Sequence, residues 1–131
     1  MGPLAGVNVI EMKGIGPGPY AGMLLADMGA DVIVIERAKY AAGIGVPAEH
    51  DIHCRGKRSI ILDIKQAAGL DALLTLIDKT DMLIDPYRPG VAERAGFGPD
   101  VCLQRNPALV FGRVTGWGQD GPIAHIAGHD I

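Results

Sequence analysis

The chain has 131 residues, of which 48% are hydrophobic, and this is enough for one compact core. The formal net charge is −3, which excludes any overall electrostatic attraction to nucleic acid or anionic lipid and requires that an anion site be a local basic cluster. No apolar run approaches the ~18–20 residues of a membrane span, and the first residues lack the pattern of a secretory signal. We therefore expect a soluble, cytoplasmic protein whose cysteines, Cys54 and Cys102, are reduced thiols.

Short apolar runs alternate along the chain with helix-like segments. A strand at 7–12, a helix at 20–28 that ends before Gly29, and a fully buried strand at 32–35 are predicted to form one βαβ unit. Further strands are predicted at 59–63, 82–85 and 109–115, and further helices at 67–77 and 99–105. This alternation predicts an α/β fold with a Rossmann-like parallel sheet flanked by helices.

Polar groups follow three of the predicted strands. Open parallel sheets bind ligands beside the carboxyl ends of their strands, and these three ends, at 36–37, 63–65 and 86–88, can converge on one ligand. The segment 55–58, together with Arg37 and Lys65, forms a local basic cluster of the kind that binds phosphate. A solvated basic loop without a ligand is the alternative interpretation of the same residues.

The loop after the first strand resembles part of a dinucleotide fingerprint. Gly14 and Gly16 have the required spacing, and Glu36 lies where a ribose-binding acid would stand. The third glycine is replaced by Pro19, and Pro17 and Pro19 both lack the N–H groups that cradle a pyrophosphate. A tight loop that packs the helix closely on the sheet is the favoured interpretation.

The four histidines form two pairs in the sequence. A zinc site is disfavoured because no zinc-protease motif is present. His50, His53 and His125 are predicted to be ordinary exposed side chains. His129 differs, since it follows a glycine-rich segment and can project from it toward a ligand.

Seven segments of the chain, in order and over essentially its whole length, carry a resemblance to one known family. They are 2–7, 14–19, 25–32, 55–59, 87–91, 115–119 and 127–131. In these segments the chain resembles the α-methylacyl-CoA racemase branch of the family III CoA-transferases, the CaiB/BaiF type. The resemblance implies that residues 1–131 are an incomplete N-terminal CoA-binding domain. It also implies that the full-length enzyme is an intertwined homodimer.

The resemblance further implies a set of ligand-binding residues. An acyl-CoA thioester is the expected substrate, and no metal or redox cofactor is expected because CoA is bound as part of that substrate. The residues that match segments holding CoA or the acyl thioester are Arg37, Leu62, Asp63, Ile64, Lys65, Pro86, Tyr87, Arg88, Arg94, Gly128, Asp130 and Ile131.

His129 matches the catalytic histidine of the racemase branch. Such an enzyme removes the α-proton of a 2-methylacyl-CoA, stabilises the enolate and returns a proton to the opposite face. An ordinary histidine pKa near ~6.5 leaves both protonation states accessible. The second catalytic acid, an aspartate, and the glutamate that orients the histidine are expected beyond Ile131. A CoA-transferase and a truncated, inactive CoA-binding module are the alternatives.

Overall fold

A computed structural model describes residues 2–37 and 50–128. Five parallel strands form one sheet in the order β3-β2-β1-β4-β5. The strands are β1 (Asn8–Met12), β2 (Asp31–Glu36), β3 (Lys57–Ile61), β4 (Met82–Asp85) and β5 (Val110–Arg113). The helices are α1 (Pro17–Asp27), α2 (Ala67–Ile77), α3 (Val91–Arg94) and α4 (Pro99–Arg105), and a 3₁₀ turn spans Ile52–Cys54. The predicted α/β fold is confirmed.

Two apolar layers hold the helices against the sheet. The larger layer lies under α2, α3 and α4 and contains Ile10, Met12, Leu73, Ile77, Leu83 and Phe97. The smaller layer contains Val9, Val32 and Ile84, against which Leu25 and Ala26 of α1 pack. Because successive strand residues point to opposite faces, strands buried on both sides need continuous apolar runs. Strand β2 has such a run at 32–35, whereas the buried Glu11 interrupts the apolar run of β1. No helix among the described residues is long and apolar enough to cross a membrane.

Some boundaries differ from the predicted ones. Helix α1 begins at Pro17 because proline is well accommodated in a first helical turn, where N–H groups have no intrahelical acceptor. Gly29 has φ +99°, so the predicted glycine end of this helix is confirmed. Strand β3 begins two residues early, at Lys57, because it extends as far as its partner Val32 on β2. The short helix α3 was not predicted.

The sheet reverses its strand order between β1 and β4. At such a switch point the two loops at the carboxyl ends diverge and leave a crevice. Gly14 and Gly18 lie against Pro86 of the loop after β4: a Cβ at Gly14 would lie 2.6 Å from Cγ of Pro86, and one at Gly18 would lie 3.2 Å from its Cβ. These glycines permit close packing of the two loops, as the tight-loop interpretation predicts.

Both cysteines are free thiols. Cys102 is fully buried, its Sγ donates a hydrogen bond to the carbonyl of Phe97 at 3.0 Å, and burial raises the pKa of its thiol to about 11. Burial also raises the pKa of Cys54, which is half-buried. Neither thiol is therefore activated as a nucleophile at neutral pH.

Candidate functional site

A cavity of about 480 Å³ opens at the carboxyl edge of the sheet, where the loops that follow β1, β4 and β5 meet. Its walls are formed by segments 15–17, 86–89, 114–116 and 126–128, together with Ala124. This volume lies within the ~300–1,000 Å³ of small-molecule sites in proteins. Four of the predicted ligand-binding residues, Pro86, Tyr87, Arg88 and Gly128, line it.

Tyr87, which lies in the loop after β4, contacts Arg37, the residue after β2. The guanidinium carbon of Arg37 lies 5.1 Å from the centroid of the Tyr87 ring, and the ring of Phe97 meets Tyr87 edge-on at 6.3 Å. The backbone N–H of Tyr87 donates to Oδ1 of Asp85 at 2.9 Å. Burial raises the pKa of the Tyr87 hydroxyl, and Arg37 partly opposes this shift. Tyr87 is therefore a fixed, neutral aromatic surface beside an exposed cation.

The segment 62–65 lies at the same edge of the sheet but outside the cavity wall. Leu62 donates its N–H to the carbonyl of Glu36 at 2.9 Å, which continues the β2–β3 pairing by one residue. Leu62 and Ile64 pack on the larger apolar layer, whereas Asp63 and Lys65 are exposed. Oδ1 of Asp63 accepts the N–H of Lys65 at 3.1 Å and fixes this turn.

The segment 55–58, predicted as part of a basic cluster, does not present its three cations together. Arg55 pairs with Asp27 and Arg58 pairs with Asp31, both through exposed side chains, and Lys57 is buried against Glu11. Residues 55 and 56 precede β3 and residues 57 and 58 begin it, so all four lie at the amino end of that strand, opposite the cavity. The three cations of this segment are thus paired with three different acids.

The cations at the carboxyl edge differ in this respect. None of Arg37, Lys65, Arg88 and Arg94 forms an ion pair with another residue of ranges 2–37 and 50–128. Arg94, in the last turn of α3, lies over the loop after β4: a Cβ at Gly90 would stand 2.7 Å from its Nη1. The positive charge available for an anion therefore lies at the carboxyl edge of the sheet, where Arg88 is part of the cavity wall.

The Glu11–Lys57 pair is buried beneath α1. The side chains are 1% and 3% exposed, and Nζ of Lys57 also donates to the carbonyl of Pro19 at 2.8 Å. Burial raises the pKa of Glu11, and Lys57 opposes this shift. Gly22 leaves the room for the pair, since a Cβ there would lie 1.9 Å from Oε2 of Glu11. No sequence pattern predicted this contact between residues 46 positions apart.

Residues 127–128 pack tightly on the loop that follows β5. A Cβ at Gly116 would stand 2.5 Å from Cα of Gly128, and the indole N–H of Trp117 donates to the carbonyl of Ala127 at 3.4 Å. This loop therefore fixes the backbone at one rim of the cavity. The predicted catalytic residue His129 and the predicted ligand-binding residues Asp130 and Ile131 follow directly and lie outside the described residues.

The histidines that the structure describes do not assemble a metal site. No group of three or more His, Cys, Asp or Glu side chains within 2–37 and 50–128 is arranged to hold a metal ion. Nδ1 of His53 lies 3.0 Å from Oδ1 of Asp51, and its ring meets Tyr20 edge-on at 6.5 Å. His53 is thus half-buried rather than exposed as predicted, whereas His50 and His125 are exposed.

A parallel sheet with a crevice at its switch point, walled in part by Tyr87 and Arg88, defines a Rossmann-like protein with a small-molecule-sized cavity. The sequence model of CoA-transferase family III matches residues 4–131, and the chain belongs to this family. The resemblance noted in the sequence is therefore confirmed.

Relatives with two different activities share this family. The chain is 42% identical to the α-methylacyl-CoA racemase of Mus musculus over 128 residues, which cover 98% of this chain and 32% of the mouse protein. It is 35% identical to the succinyl-CoA–L-malate CoA-transferase alpha subunit of Chloroflexus aurantiacus over 141 residues, covering 95% of this chain and 33% of that protein. The chain spans about a third of the length of these curated relatives.

A solved structure has the same fold. The crystal structure of a hypothetical protein from Mycobacterium tuberculosis superimposes with a TM-score of 0.87 at 33% identity and covers 99% of this chain and 37% of the other. The five-stranded sheet and its helices are therefore the fold of the corresponding third of that protein.

Proposed function

We propose that this chain forms the acyl-CoA-binding part of a 2-methylacyl-CoA racemase and supplies one of its two acid–base residues, His129. The observation that carries the proposal is the cavity of about 480 Å³, whose wall includes Pro86–Arg88 at one side and ends at Gly128, the residue before His129. The higher identity to the mouse racemase, 42% against 35% for the transferase subunit, supports racemisation over transfer.

The CoA moiety is proposed to lie along the cationic edge. Guanidinium groups bind phosphate through paired, charge-assisted hydrogen bonds, which suits Arg37, Arg88 and Arg94 to the phosphates of CoA. The Tyr87 ring offers an apolar surface to the adenine or the pantetheine chain. In this arrangement the nucleotide end of the acyl-CoA contacts the turn formed by Leu62, Asp63, Ile64 and Lys65. Its thioester end contacts Asp130 and Ile131.

The reaction proposed for His129 is proton transfer at carbon. The thioester carbonyl acidifies the α-proton, so a neutral imidazole removes it and leaves an enolate, which a proton from the opposite face then quenches. In the reverse direction the imidazolium donates. The second acid would come from outside these 131 residues, and no metal or redox cofactor is needed for this chemistry.

Solvent exchange distinguishes racemisation from transfer. Residues 1–131 would replace the aligned segment of the mouse racemase, and this chimera would be incubated in deuterated water with one epimer of a 2-methylacyl-CoA. We expect deuterium at the α-carbon and both epimers in the product, followed by mass spectrometry and chiral chromatography. The His129→Ala chimera is the matched control: it should not interconvert the epimers, and it should lose exchange of the epimer whose α-proton faces His129.

A CoA-transferase would give a different result. It would move CoA from the thioester to an added carboxylic acid without incorporating deuterium at the α-carbon, and this outcome would replace racemisation as the function. Binding of CoA by the 131-residue chain, measured by isothermal titration calorimetry, with no reaction of either kind in the chimera would leave only the binding module.

Arg37→Leu is expected to weaken CoA binding by the 131-residue chain about tenfold or more, since a hydrogen bond to a charged group contributes roughly 1.5–3 kcal/mol. The affinity should also lose much of its dependence on salt concentration. Arg58→Leu is the control, because it removes an exposed cation at the opposite edge that Asp31 already neutralises. Equal affinities for the two variants in calorimetric titrations would argue against a phosphate contact at Arg37.

A further inference from the structure

Arg113, the last residue of β5, lies among polar groups from three different elements. Its neighbour in the sheet register is Asp85, whose Oδ2 stands 3.9 Å from Nε. One terminal nitrogen donates to Glu93 of α3 and the other donates to the side chain of Gln119. The Arg113 side chain is 21% exposed and that of Asp85 3%, whereas the Glu93 side chain is 44% exposed, so these contacts run from the protein interior to the surface.

The Gln119 contact closes the loop that follows β5. Within this loop, the N–H of Gly118 donates to Oγ1 of Thr115 at 3.1 Å. The loop starts at Arg113 and returns to it through Gln119, so the arginine fixes both of its ends. Residues 116 and 117 of this loop are the ones that contact Gly128 and Ala127.

The Asp85 contact extends to the opposite wall of the cavity. Asp85 is 2% exposed and accepts the N–H of Tyr87, the aromatic residue of that wall. Burial raises the pKa of Asp85, whereas the charge of Arg113 opposes the rise and favours the carboxylate. One guanidinium therefore links the supports of the two walls that face each other across the cavity.

We infer that Arg113 is a positioning residue, which through Gln119 holds the loop 115–118 and so sets the backbone of residues 127–128 that leads into His129. The Arg113 brace is Arg113 with its three partners, Asp85, Glu93 and Gln119. Its catalytic consequence rests on the proposed function, because it acts through His129. The brace itself does not depend on which reaction the protein catalyses.

The brace is testable in the 131-residue chain, because Trp117 is its one tryptophan and lies in the braced loop. We expect Gln119→Leu and Arg113→Met to raise the acrylamide quenching constant of Trp117 and to lower its fluorescence anisotropy. Glu93→Gln should leave both unchanged, since the contact of Arg113 with Gln119, which holds the loop, is retained. Arg105→Met is the matched control for Arg113→Met, because it breaks a comparable pair with Asp78 away from the loop.

Gln119→Leu keeps the test decisive if Arg113→Met fails to fold, since a partly exposed glutamine tolerates substitution. Unchanged quenching in Gln119→Leu would overturn the brace.

In the racemase chimera, Gln119→Leu should lower kcat about tenfold or more with little change in KM, as expected for misplaced catalytic geometry. An unchanged kcat together with a higher KM would also overturn the inference. Absence of exchange in the unmutated chimera would refute the proposed reaction, while the quenching result would still decide the brace.

Discussion

Lys57→Met is expected to destabilise the fold by about 3–5 kcal/mol, the cost of leaving a buried carboxylate without its partner. Glu11 is 1% exposed and Nζ of Lys57 is its hydrogen-bond donor. The carbonyl of Pro19 loses its contact with the same nitrogen, so the first turn of α1 is released as well. The free energy of unfolding, measured by urea denaturation of the 131-residue chain, checks this prediction.

Two further variants separate the charge effect from other causes. Arg58→Met removes the next cation of β3, whose pair with Asp31 is exposed, and should cost less than about 1 kcal/mol. Glu11→Met combined with Lys57→Met replaces the whole pair by apolar chains and should recover most of the lost stability. A single Lys57→Met variant as stable as the Arg58→Met variant would show that the buried pair does not matter.

The loss of unfolding free energy caused by Lys57→Met should also depend on pH. Burial already raises the pKa of Glu11 above its ordinary 4.5, and removing Lys57 takes away the interaction that opposes this shift. The folded variant then binds a proton more tightly than the unfolded chain, so its stability falls as pH rises from the unfolded pKa through the folded one. Urea titrations across this window should show the deficit shrinking as the pH is lowered. A deficit independent of pH would contradict an unpaired carboxylate as its cause.

Gly116→Ala is expected to lower the kcat of the racemase chimera by about 100-fold, since a displacement near 1 Å can cost that much in an active site. The added methyl group would stand 2.5 Å from Cα of Gly128, and this neighbour is backbone that cannot rotate away. The loop and residues 127–128 must therefore separate, which moves the segment that leads into His129. Both segments are largely exposed, so the unfolding free energy should change little.

Gly112→Ala is the matched control for Gly116→Ala. A Cβ at Gly112 would meet the terminal methyl of Met82 at 3.2 Å, and this flexible end can move. Deuterium exchange rates for the two chimeras, measured over a range of substrate concentrations, give kcat and KM separately. Equal kcat values would mean that the close approach of Gly116 to Gly128 has no part in catalysis.

Local patterns predicted much of the fold. Strand β4 and helix α4 lie where they were predicted, because a short apolar run and a proline at the first helical position mark their bounds. Helix α3 could not be predicted, because four residues are too few to show a helical period and it starts after Gly90 in the left-handed conformation. The exposed edge strand β3 shows little apolar alternation, so its start at Lys57 is set by pairing with β2 instead.

The site was only partly predictable for a different reason. The loop 86–88 could be assigned to the ligand edge, because residues that follow a parallel strand must lie there. The environments of Lys57 and Arg58 could not be predicted from the sequence. Adjacent strand residues point to opposite faces, and only the strand register shows which acid each one contacts. Arg113 gave no signal in the sequence, because its three partners come together only after β4, β5 and α3 have packed.

The central position of β1 has a consequence for synthesis on the ribosome. This strand is made before the other four, yet its β4 flank is completed only when Asp81 and the residues after it emerge, and the N–H of Asn8 donates to Asp81 across 73 positions of chain. At ~5–20 residues per second, this flank waits roughly 4–15 s for its partner. During that time β1 presents unpaired backbone and the apolar side chains of Val9, Ile10 and Met12, so the nascent chain is most vulnerable to aggregation before β4 is complete.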